Sequence, residues 1–282
     1  MIPIVVTPYE RRYLQRVRDL IFHSELVHSH LDWQETDQWL DTQSVPMRCA
    51  WQRGRLVGVM GVSSPLNRTC WLRLAAIHHQ SDHSRVLRAL WEDLVIELRS
   101  RYVQTVALLA VRDWIVRYVP VLGFRYVEDI ITLARNGAEL PETLPNRLVI
   151  RAAQPEDLDE LARVDNAAFE PPWQLSPDEL RQAVRISASC TVGLLDDMMV
   201  GYQLSTLYFD GAHLARLAVI PSVQGLGLGG ALLADGLQRF FRRGIYGMTL
   251  NTQSSNRRSR RLYERYGFAP NGYDLPYWVI TL

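Results

Sequence analysis

The feature that most constrains how this 282-residue chain can fold is a glycine-rich turn, QGLGLGG, at residues 224–230. It follows the strand-like apolar run 214–220 and precedes the helical run 231–241. A turn of this kind presents consecutive backbone N–H groups at a helix N-terminus, where the helix dipole adds positive potential. The segment therefore predicts a strand–turn–helix unit that binds a pyrophosphate.

The bulk composition is that of a globular protein. The chain is 48% hydrophobic and 22% charged, with a formal net charge of +1. So small a charge gives no reason to expect nucleic acid or an anionic membrane as a partner. The apolar stretches are of strand length and no charged-then-apolar leader opens the chain, so we expect a cytoplasmic protein. Its three widely spaced cysteines favour free thiols over disulfides.

The two halves of the sequence repeat one order of elements. Matching segments recur at offsets near 140–144 residues: Leu72-Arg-Leu-Ala-Ala-Ile77 with Ala215-Arg-Leu-Ala-Val-Ile220, Trp33-Gln34 with Trp173-Gln174, and Gly123-Phe124 with Gly267-Phe268. A constant offset indicates an internal duplication. We therefore predict two tandem domains, at 1–137 and 148–282, joined by a linker at 138–147.

The first copy lacks the glycine-rich turn. Aligning the repeats places residues 81–86, Ser-Asp-His-Ser-Arg-Val, where the turn should be. Their Cβ atoms would crowd a close approach to phosphate, and Asp82 would repel it. We therefore expect the first domain to be degenerate and the second to carry the site.

The turn also matches the dinucleotide-binding pattern G-x-G-x-x-G, from Gly225 to Gly230. In a dinucleotide fold, however, the first glycine follows the strand almost directly, and an acidic residue lies about 20 residues further on. Here residues 221–224 intervene, and the next strand carries Asn251 instead of an acid. The chain has no Gly-Lys-Ser/Thr sequence, which excludes a Walker A loop.

Three segments of the second half together resemble the GCN5-related N-acetyltransferase (GNAT) family. They are LAVIP at 217–221, Q-x-x-G-x-G at 224–229, and N-x(6)-Y-x-x-x-G-F at 256–268. The resemblance covers residues 148–282 well and the first half only in outline. It is nearest the ribosomal-protein alanine acetyltransferase branch, and the tandem layout is similar to that of mycothiol synthase. It implies an α+β fold, the α/β three-layer sandwich of the acyl-CoA N-acyltransferase type. Each of the two domains would have a mixed, mainly antiparallel sheet flanked by helices.

The resemblance further implies acetyl-CoA (coenzyme A) as co-substrate and an amine as acceptor. The end of the splayed strand would pair with the pantetheine arm, with the Val219 N–H facing the thioester carbonyl. The turn would hold the diphosphate, Asn256 would hydrogen-bond the pantetheine arm, and Tyr263 would protonate the departing thiolate. The cofactor-binding residues so implied are Leu217, Ala218, Val219, Gln224, Gly225, Leu226, Gly227, Leu228, Gly229, Gly230 and Asn256.

Simpler explanations exist for several of these residues. Asn256 could be only a helix N-cap, and Tyr263 only a core aromatic. The arginines at 257, 258, 260 and 261 fit a solvated helix face, with a contact to the CoA 3′-phosphate as the alternative.

The general base is left open. The alanine acetyltransferase branch carries a glutamate where this chain has Asn251, and an amide cannot accept the proton of the amine. A water chain or another group must then serve. Glu170, Asp210 and His213 are candidates because they lie at the predicted ends of helices and strands.

The sequence leaves the acceptor and one rival function open. The acceptor is a small-molecule amine or a peptide amine, and the protein is a monomer or homodimer. Loss of the glutamate favours a non-catalytic acyl-CoA-binding or regulatory module, whereas Tyr263 favours an enzyme. The histidines at 78, 79 and 83 could ligate zinc with Asp82. Adjacent histidines at a strand end should point to opposite faces, however, so we expect no metal.

Overall fold

The computed structural model describes residues 2–41, 45–142, 147–209 and 211–282. The chain forms two compact units, the first made of Met1–Glu128 with Leu275–Leu282, the second of Asp129–Asp274. Residues 143–146 of the predicted linker lie outside the described ranges. The units differ from the predicted tandem domains because strand pairing assigns the last strand of the sequence to the first unit.

The elements of the first half are β1 (Val5–Pro8), α1 (Leu14–His23), β2 (Leu26–Ser29), α2 (Thr36–Leu40), β3 (Met47–Gln52), β4 (Arg55–Val62), β5 (Thr69–Ile77), α3 (His83–Ser100), β6 (Thr105–Leu109), α4 (Asp113–Val116) and β7 (Arg125–Arg135). Those of the second half are β8 (Val149–Ala152), α5 (Leu158–Ala168), α6 (Pro177–Ile186), β9 (Ser189–Leu195), β10 (Met198–Tyr208), β11 (Gly211–Val219), α7 (Leu228–Phe241), β12 (Met248–Gln253), α8 (Arg257–Arg265), β13 (Ala269–Pro270) and β14 (Leu275–Thr281).

The first unit is a mixed sheet with helices on both faces. Its strands run in the order β1-β3-β4-β5-β6-β14, with β2 also paired to β5. Only the β5–β6 pair is parallel among those described. Val59 and Met60, neighbours on β4, belong to different apolar clusters. Because successive strand residues point to opposite faces, one cluster packs under α3 and the other under α1.

The second unit repeats this plan. Its sheet runs β8-β9-β10-β11-β12 and continues into the second-unit part of β7, which also pairs with β13. Tyr202 hydrogen-bonds Asp165 on α5, whereas its neighbour Gln203 lies against Gly236 on α7. Helices therefore cover both faces of the sheet, as the predicted three-layer sandwich requires.

Local sequence signals explain where the helices begin. Ser176 caps α6 and shares a reciprocal capping box with Glu179. Asp82, expected to repel phosphate, instead accepts from the Arg85 N–H at 3.1 Å and caps α3. In the described ranges, no helix combines the length and the apolar character needed to cross a bilayer.

Candidate active site

The site lies where two neighbouring parallel strands of the second unit separate. The described pairing of β11 with β12 covers residues 212–214 opposite 248–250. β11 then continues to Val219 alongside β10, after a bulge at Ala215 that shifts its register against β10. Within the described residues, no strand pairs with the free side of 216–219. This stretch therefore presents an open edge that an extended ligand arm can join.

The open edge carries defined hydrogen-bonding groups. In a paired strand, the peptide groups of successive residues point alternately to either side. The Ile220 N–H donates to Val200 O on β10 at 2.9 Å. The groups of Ala218 therefore also face β10, whereas those of Leu217 and Val219 face the open side. Of the three strand residues predicted to meet the pantetheine arm, Leu217 and Val219 direct their backbone groups to the open side.

The glycine-rich turn has the geometry expected of an anion cradle. Gly225 and Gly227 have φ of +89° and +79°, which glycine adopts without strain. Gly229 lies in the first turn of α7, and a Cβ there would meet Leu262 at 3.5 Å and Val219 at 3.9 Å, ordinary contact distances. Protein packing therefore does not explain this glycine. Its missing side chain leaves the first-turn N–H groups accessible to a ligand.

The remaining residues of the turn differ in packing and in exposure. A Cβ on Gly230 would lie 3.0 Å from the Tyr266 hydroxyl, which donates to Gly230 O at 2.9 Å, so packing alone explains that glycine. Leu226 is 58% exposed, whereas Leu228 is buried in the helix that follows.

A cation is fixed beside the turn. Gln224 Nε2 donates to Val219 O at 2.8 Å, and Gln224 Oε1 accepts a hydrogen bond from Arg258 Nη1. Gln224 thus ties the end of β11 to the first turn of α8. The guanidinium of Arg258 comes within 3.8 Å of the Cβ position of Gly225. The sequence predicts a solvated helix face for this arginine, with a contact to the CoA 3′-phosphate as the alternative. Its side chain is exposed, as the first interpretation expects, and it also contacts Gln224.

Asn256 and Tyr263 lie at the start and within the last turns of α8. Asn256 Oδ1 accepts from the Ser259 N–H at 3.1 Å, so this residue is an N-cap. Its Nδ2 makes no hydrogen bond to the described part of the chain. Tyr263 is only 7% exposed, and its ring contacts Phe268. Burial raises the pKa of Tyr263 to about 12. The phenol therefore keeps its proton at neutral pH, as a proton donor must.

The candidate bases differ in their surroundings. His213 on β11 places Nδ1 2.8 Å from Thr249 Oγ1 on β12. Asn251, two residues further along β12, shares the Thr249 face because strand residues alternate. Glu170 is exposed in the segment after α5. Asp210 lies outside the described residues. His213 is thus the candidate held on the sheet beside Asn251.

A buried ion pair, absent from the sequence predictions, supports the face of the sheet that α5 covers. Asp165 on α5 is 0% exposed and accepts hydrogen bonds from Arg216 on β11 and from the Tyr202 hydroxyl. Arg216 also donates to Trp173 O at 3.0 Å, and its guanidinium lies 3.8 Å from the Phe169 ring centroid. The pair therefore fixes the loop after α5 against the end of the open strand. An arginine in an apolar strand was its sequence signal.

The first unit closes the equivalent groove with its own chain. The repeat matches Leu217–Val219 with residues 74–76 of β5. There β2 pairs antiparallel with β5, from Leu26 opposite Ile77 to Ser29 opposite Leu74. The strand thus occupies the open side that β11 keeps free. His28 of β2 is fully buried, and neither ring nitrogen has a hydrogen-bond partner in the described chain.

The histidine cluster of the first unit differs from the expectation. β5 ends at Ile77, so His78 and His79 lie in a turn, and their rings stack with centroids 4.6 Å apart. The prediction that they point to opposite faces was wrong because it extended the strand by two residues. The described residues contain no group of three or more His, Cys, Asp or Glu side chains placed to hold a metal.

The separated parallel strands and the glycine turn at a helix N-terminus define an acyl-CoA N-acyltransferase fold. A tandem GNAT protein from the clavulanic acid biosynthesis pathway superposes with a TM-score of 0.64 at 14% identity, covering 99% of this chain and 98% of that one. Residues 158–268 match the acetyltransferase (GNAT) family. The second half of the chain is therefore a GNAT domain, and the predicted family resemblance is confirmed.

Curated relatives carry the same domain. The chain is 31% identical over 176 residues to the mycothiol acetyltransferase of Nocardia farcinica, covering 55% of this chain and 57% of that one. It is 26% identical over 113 residues to the [ribosomal protein bS18]-alanine N-acetyltransferase of Haemophilus influenzae, covering 40% of this chain and 75% of that one. The match therefore spans little more than half the length of the mycothiol acetyltransferase.

Proposed function

We propose that the second unit transfers the acetyl group of acetyl-CoA to a primary amine by direct attack on the thioester. One observation carries this proposal: the open edge of β11 is followed, a few residues further along the chain, by the glycine turn. It provides two adjoining subsites, one for an extended amide-containing arm and one for its diphosphate. A non-catalytic acyl-CoA-binding module remains the rival.

The residues present fit coenzyme A. The first-turn N–H groups of α7 and the Arg258 guanidinium would hold the diphosphate. The backbone groups of Leu217 would pair with the pantetheine arm, and the Val219 N–H would polarise the thioester carbonyl. Asn256 Nδ2 is available to the same arm. When bound, the thioester supplies an activated acetyl group.

Two side chains would move protons. As the amine nitrogen bonds to the acetyl carbon and the C–S bond breaks, Tyr263 would give its proton to the thiolate. We assign the opposite transfer to His213. His213 is held on the sheet by the contact of its Nδ1 with Thr249 Oγ1, and a neutral imidazole at this place can take up the proton of the amine. This assignment removes the need for the glutamate that Asn251 replaces.

Activity is assigned to the second unit alone. In the first unit β2 lies along the strand that would pair with the pantetheine arm. A capped helix start without glycine takes the place of the turn. Binding there would require a four-residue strand to leave the sheet and expose His28.

The test uses the full chain with acetyl-CoA and a panel of primary amines. Because the relatives are a mycothiol acetyltransferase and a [ribosomal protein bS18]-alanine N-acetyltransferase, the panel includes the acceptor of the first and a peptide with an N-terminal alanine. Thiol release and the mass of the acetylated product are followed together. Coenzyme A binding without acetylation of any amine would favour the non-catalytic rival.

Tyr263→Phe tests the proton donor. We expect turnover to fall by about 10²–10⁴-fold, since a positioned acid contributes about that much, with coenzyme A affinity nearly unchanged. The matched control is Tyr246→Phe, which removes a half-exposed phenol from the same unit. Equal turnover in the two variants would show that Tyr263 is only a core aromatic.

His213→Asn tests the base, because asparagine can still hydrogen-bond Thr249 but cannot take the proton. Turnover at neutral pH should fall about 100-fold, and the acid limb of the pH–rate profile should flatten. Asn251→Ala serves as the control on the same face and should leave the profile in place. An unchanged profile for His213→Asn would mean that a water chain or another group is the base.

A further inference from the structure

A pocket of about 400 Å³ lies in the first unit, beside the end of the β2–β5 pair where Leu26 is opposite Ile77. It is bounded by α1, by the turn between β3 and β4, and by the turn that follows β5. Leu20 and Leu56, both buried, form its apolar floor. Arg16, Arg53, Arg55 and His78 contribute to its wall. Its volume is in the range of small-molecule sites.

The pocket carries an excess of positive charge. None of Arg16, Arg53 and Arg55 forms an ion pair with a described carboxylate. The one acidic lining residue, Asp19, accepts instead from Gln15 Nε2 at 2.9 Å. All three are exposed residues, and together their guanidinium groups make the potential at the cavity positive, which favours an anion there. Because the chain has no lysine, every such cation is a planar fork of N–H donors, the group best suited to a phosphoryl oxygen pair.

The turn that supplies two of these arginines does not need them for its own geometry. Arg53 has φ +49° and Gly54 φ +74°, so both turn residues lie in the left-handed region. Asparagine or glycine is the ordinary choice at the first of these positions, and a longer side chain there is strained. An arginine at this position is therefore unfavourable for folding and calls for another explanation.

The second unit shows that the charge is not a property of the fold. Its equivalent turn consists of Asp196 and Asp197, with φ of +48° and +63°. The repeat places Glu160 and Arg163 at the positions of Arg16 and Asp19, and those two form an ion pair at 2.7 Å. One unit thus carries a basic pocket where the other carries acidic and paired side chains.

His78 adds a neutral donor. The Gln80 N–H lies 3.2 Å from His78 Nδ1, which must then be an acceptor. In a neutral imidazole the proton is consequently on Nε2. The lining therefore offers guanidinium and imidazole donors above two leucines, more donors than a carboxylate has lone pairs to accept.

We infer that this pocket binds a phosphorylated small metabolite, with the phosphoryl group on the arginines and the organic part over Leu20 and Leu56. Inorganic phosphate, a phosphomonoester and the 3′-phosphate of coenzyme A share this chemistry. The volume favours an ester over the bare ion. The inference is independent of the acetyltransferase proposal because it uses no residue of the second unit.

Titration calorimetry on the full chain, with inorganic phosphate and glucose 6-phosphate as probes, tests it. Both should bind, the ester more tightly. Arg53→Asn combined with Arg55→Gln should weaken binding at least about tenfold, since each removes a charge-assisted bond; Asn also suits the left-handed turn. Arg99→Gln, an exposed arginine of the same unit, is the matched control.

Two further experiments distinguish a free phosphate or phosphomonoester from the 3′-phosphate of coenzyme A as the source of the phosphoryl group. Arg258→Gln weakens the second-unit cradle and should leave phosphate binding intact. Competition by coenzyme A that persists in Arg258→Gln would place its 3′-phosphate in this pocket. Three results each overturn the inference: no binding at millimolar concentrations, full retention of binding by the Arg53/Arg55 variant, or loss of binding in Arg258→Gln.

Discussion

Replacing Gly229 with alanine should separate folding from cofactor binding. The added methyl group meets Leu262 and Val219 at 3.5 and 3.9 Å, so the folded protein accommodates it without movement. Gly229 is helical, and alanine there reduces the entropy that the chain loses on folding. The free energy of unfolding should rise by about 0.5–1 kcal/mol.

The same methyl group would occupy space over the first turn of α7, where the diphosphate must approach the N–H groups. We expect the Kd for coenzyme A to rise about tenfold, which is about 1.4 kcal/mol. At a concentration 100 times the native Kd, coenzyme A stabilises the unsubstituted chain by about 2.7 kcal/mol. It should stabilise the variant by only about half of that.

Urea unfolding with and without coenzyme A measures both effects in one protein. Gly230→Ala is the comparison, because its methyl group lies 3.0 Å from the Tyr266 hydroxyl and should lower stability even without ligand. An unchanged Kd in Gly229→Ala would place the diphosphate elsewhere. A loss of stability in that variant would mean that the helix start has no room for a side chain.

Two further predictions concern buried charges. Asp165→Ala leaves the Arg216 guanidinium buried without its carboxylate and should lower the free energy of unfolding by about 3–5 kcal/mol. Urea unfolding measures this change. A loss of less than about 1 kcal/mol would contradict a structural role for the pair. Burial lowers the pKa of His28 from 6.5 to about 3, so the unfolded chain takes up this proton first. Stability from His28 is complete above pH 6.5 and falls by about 1.4 kcal/mol per pH unit below it. His28→Leu should flatten that slope in unfolding measured from pH 7 to 5, and an equal slope would show that His28 is not the titrating group.

Local signals in the sequence were sufficient to predict the glycine turn and the residues at which helices begin. Alternating glycines between an apolar run and a helix specify a left-handed turn at a helix N-terminus, because only glycine adopts those dihedrals cheaply. Asn256 and Ser176 are capping residues whose partners lie three positions ahead, within reach of sequence reasoning. Such short-range rules do not depend on the rest of the fold.

Contacts between distant residues escaped the same reasoning. Asp165 and Arg216 are 51 positions apart, so nothing local indicates that they pair. β2 is only four residues long, and its function in closing the β5 groove depends on a partner 45 or more positions away. The solvated face predicted for Arg258 agrees with its exposure, but its contact with Gln224, 34 positions away, exists only once α8 is packed.

The place of β14 in the first unit has a consequence for synthesis on the ribosome. Residues 277–281 pair with 105–109 of β6, yet they are translated long after β6 has emerged. Until β14 has been made, the backbone groups along this edge of β6 have no strand to pair with, and the whole second unit is translated in the meantime. The second unit, in contrast, takes its β7 segment from chain that already exists. The first unit therefore cannot complete its sheet until the last strand of the chain has been made.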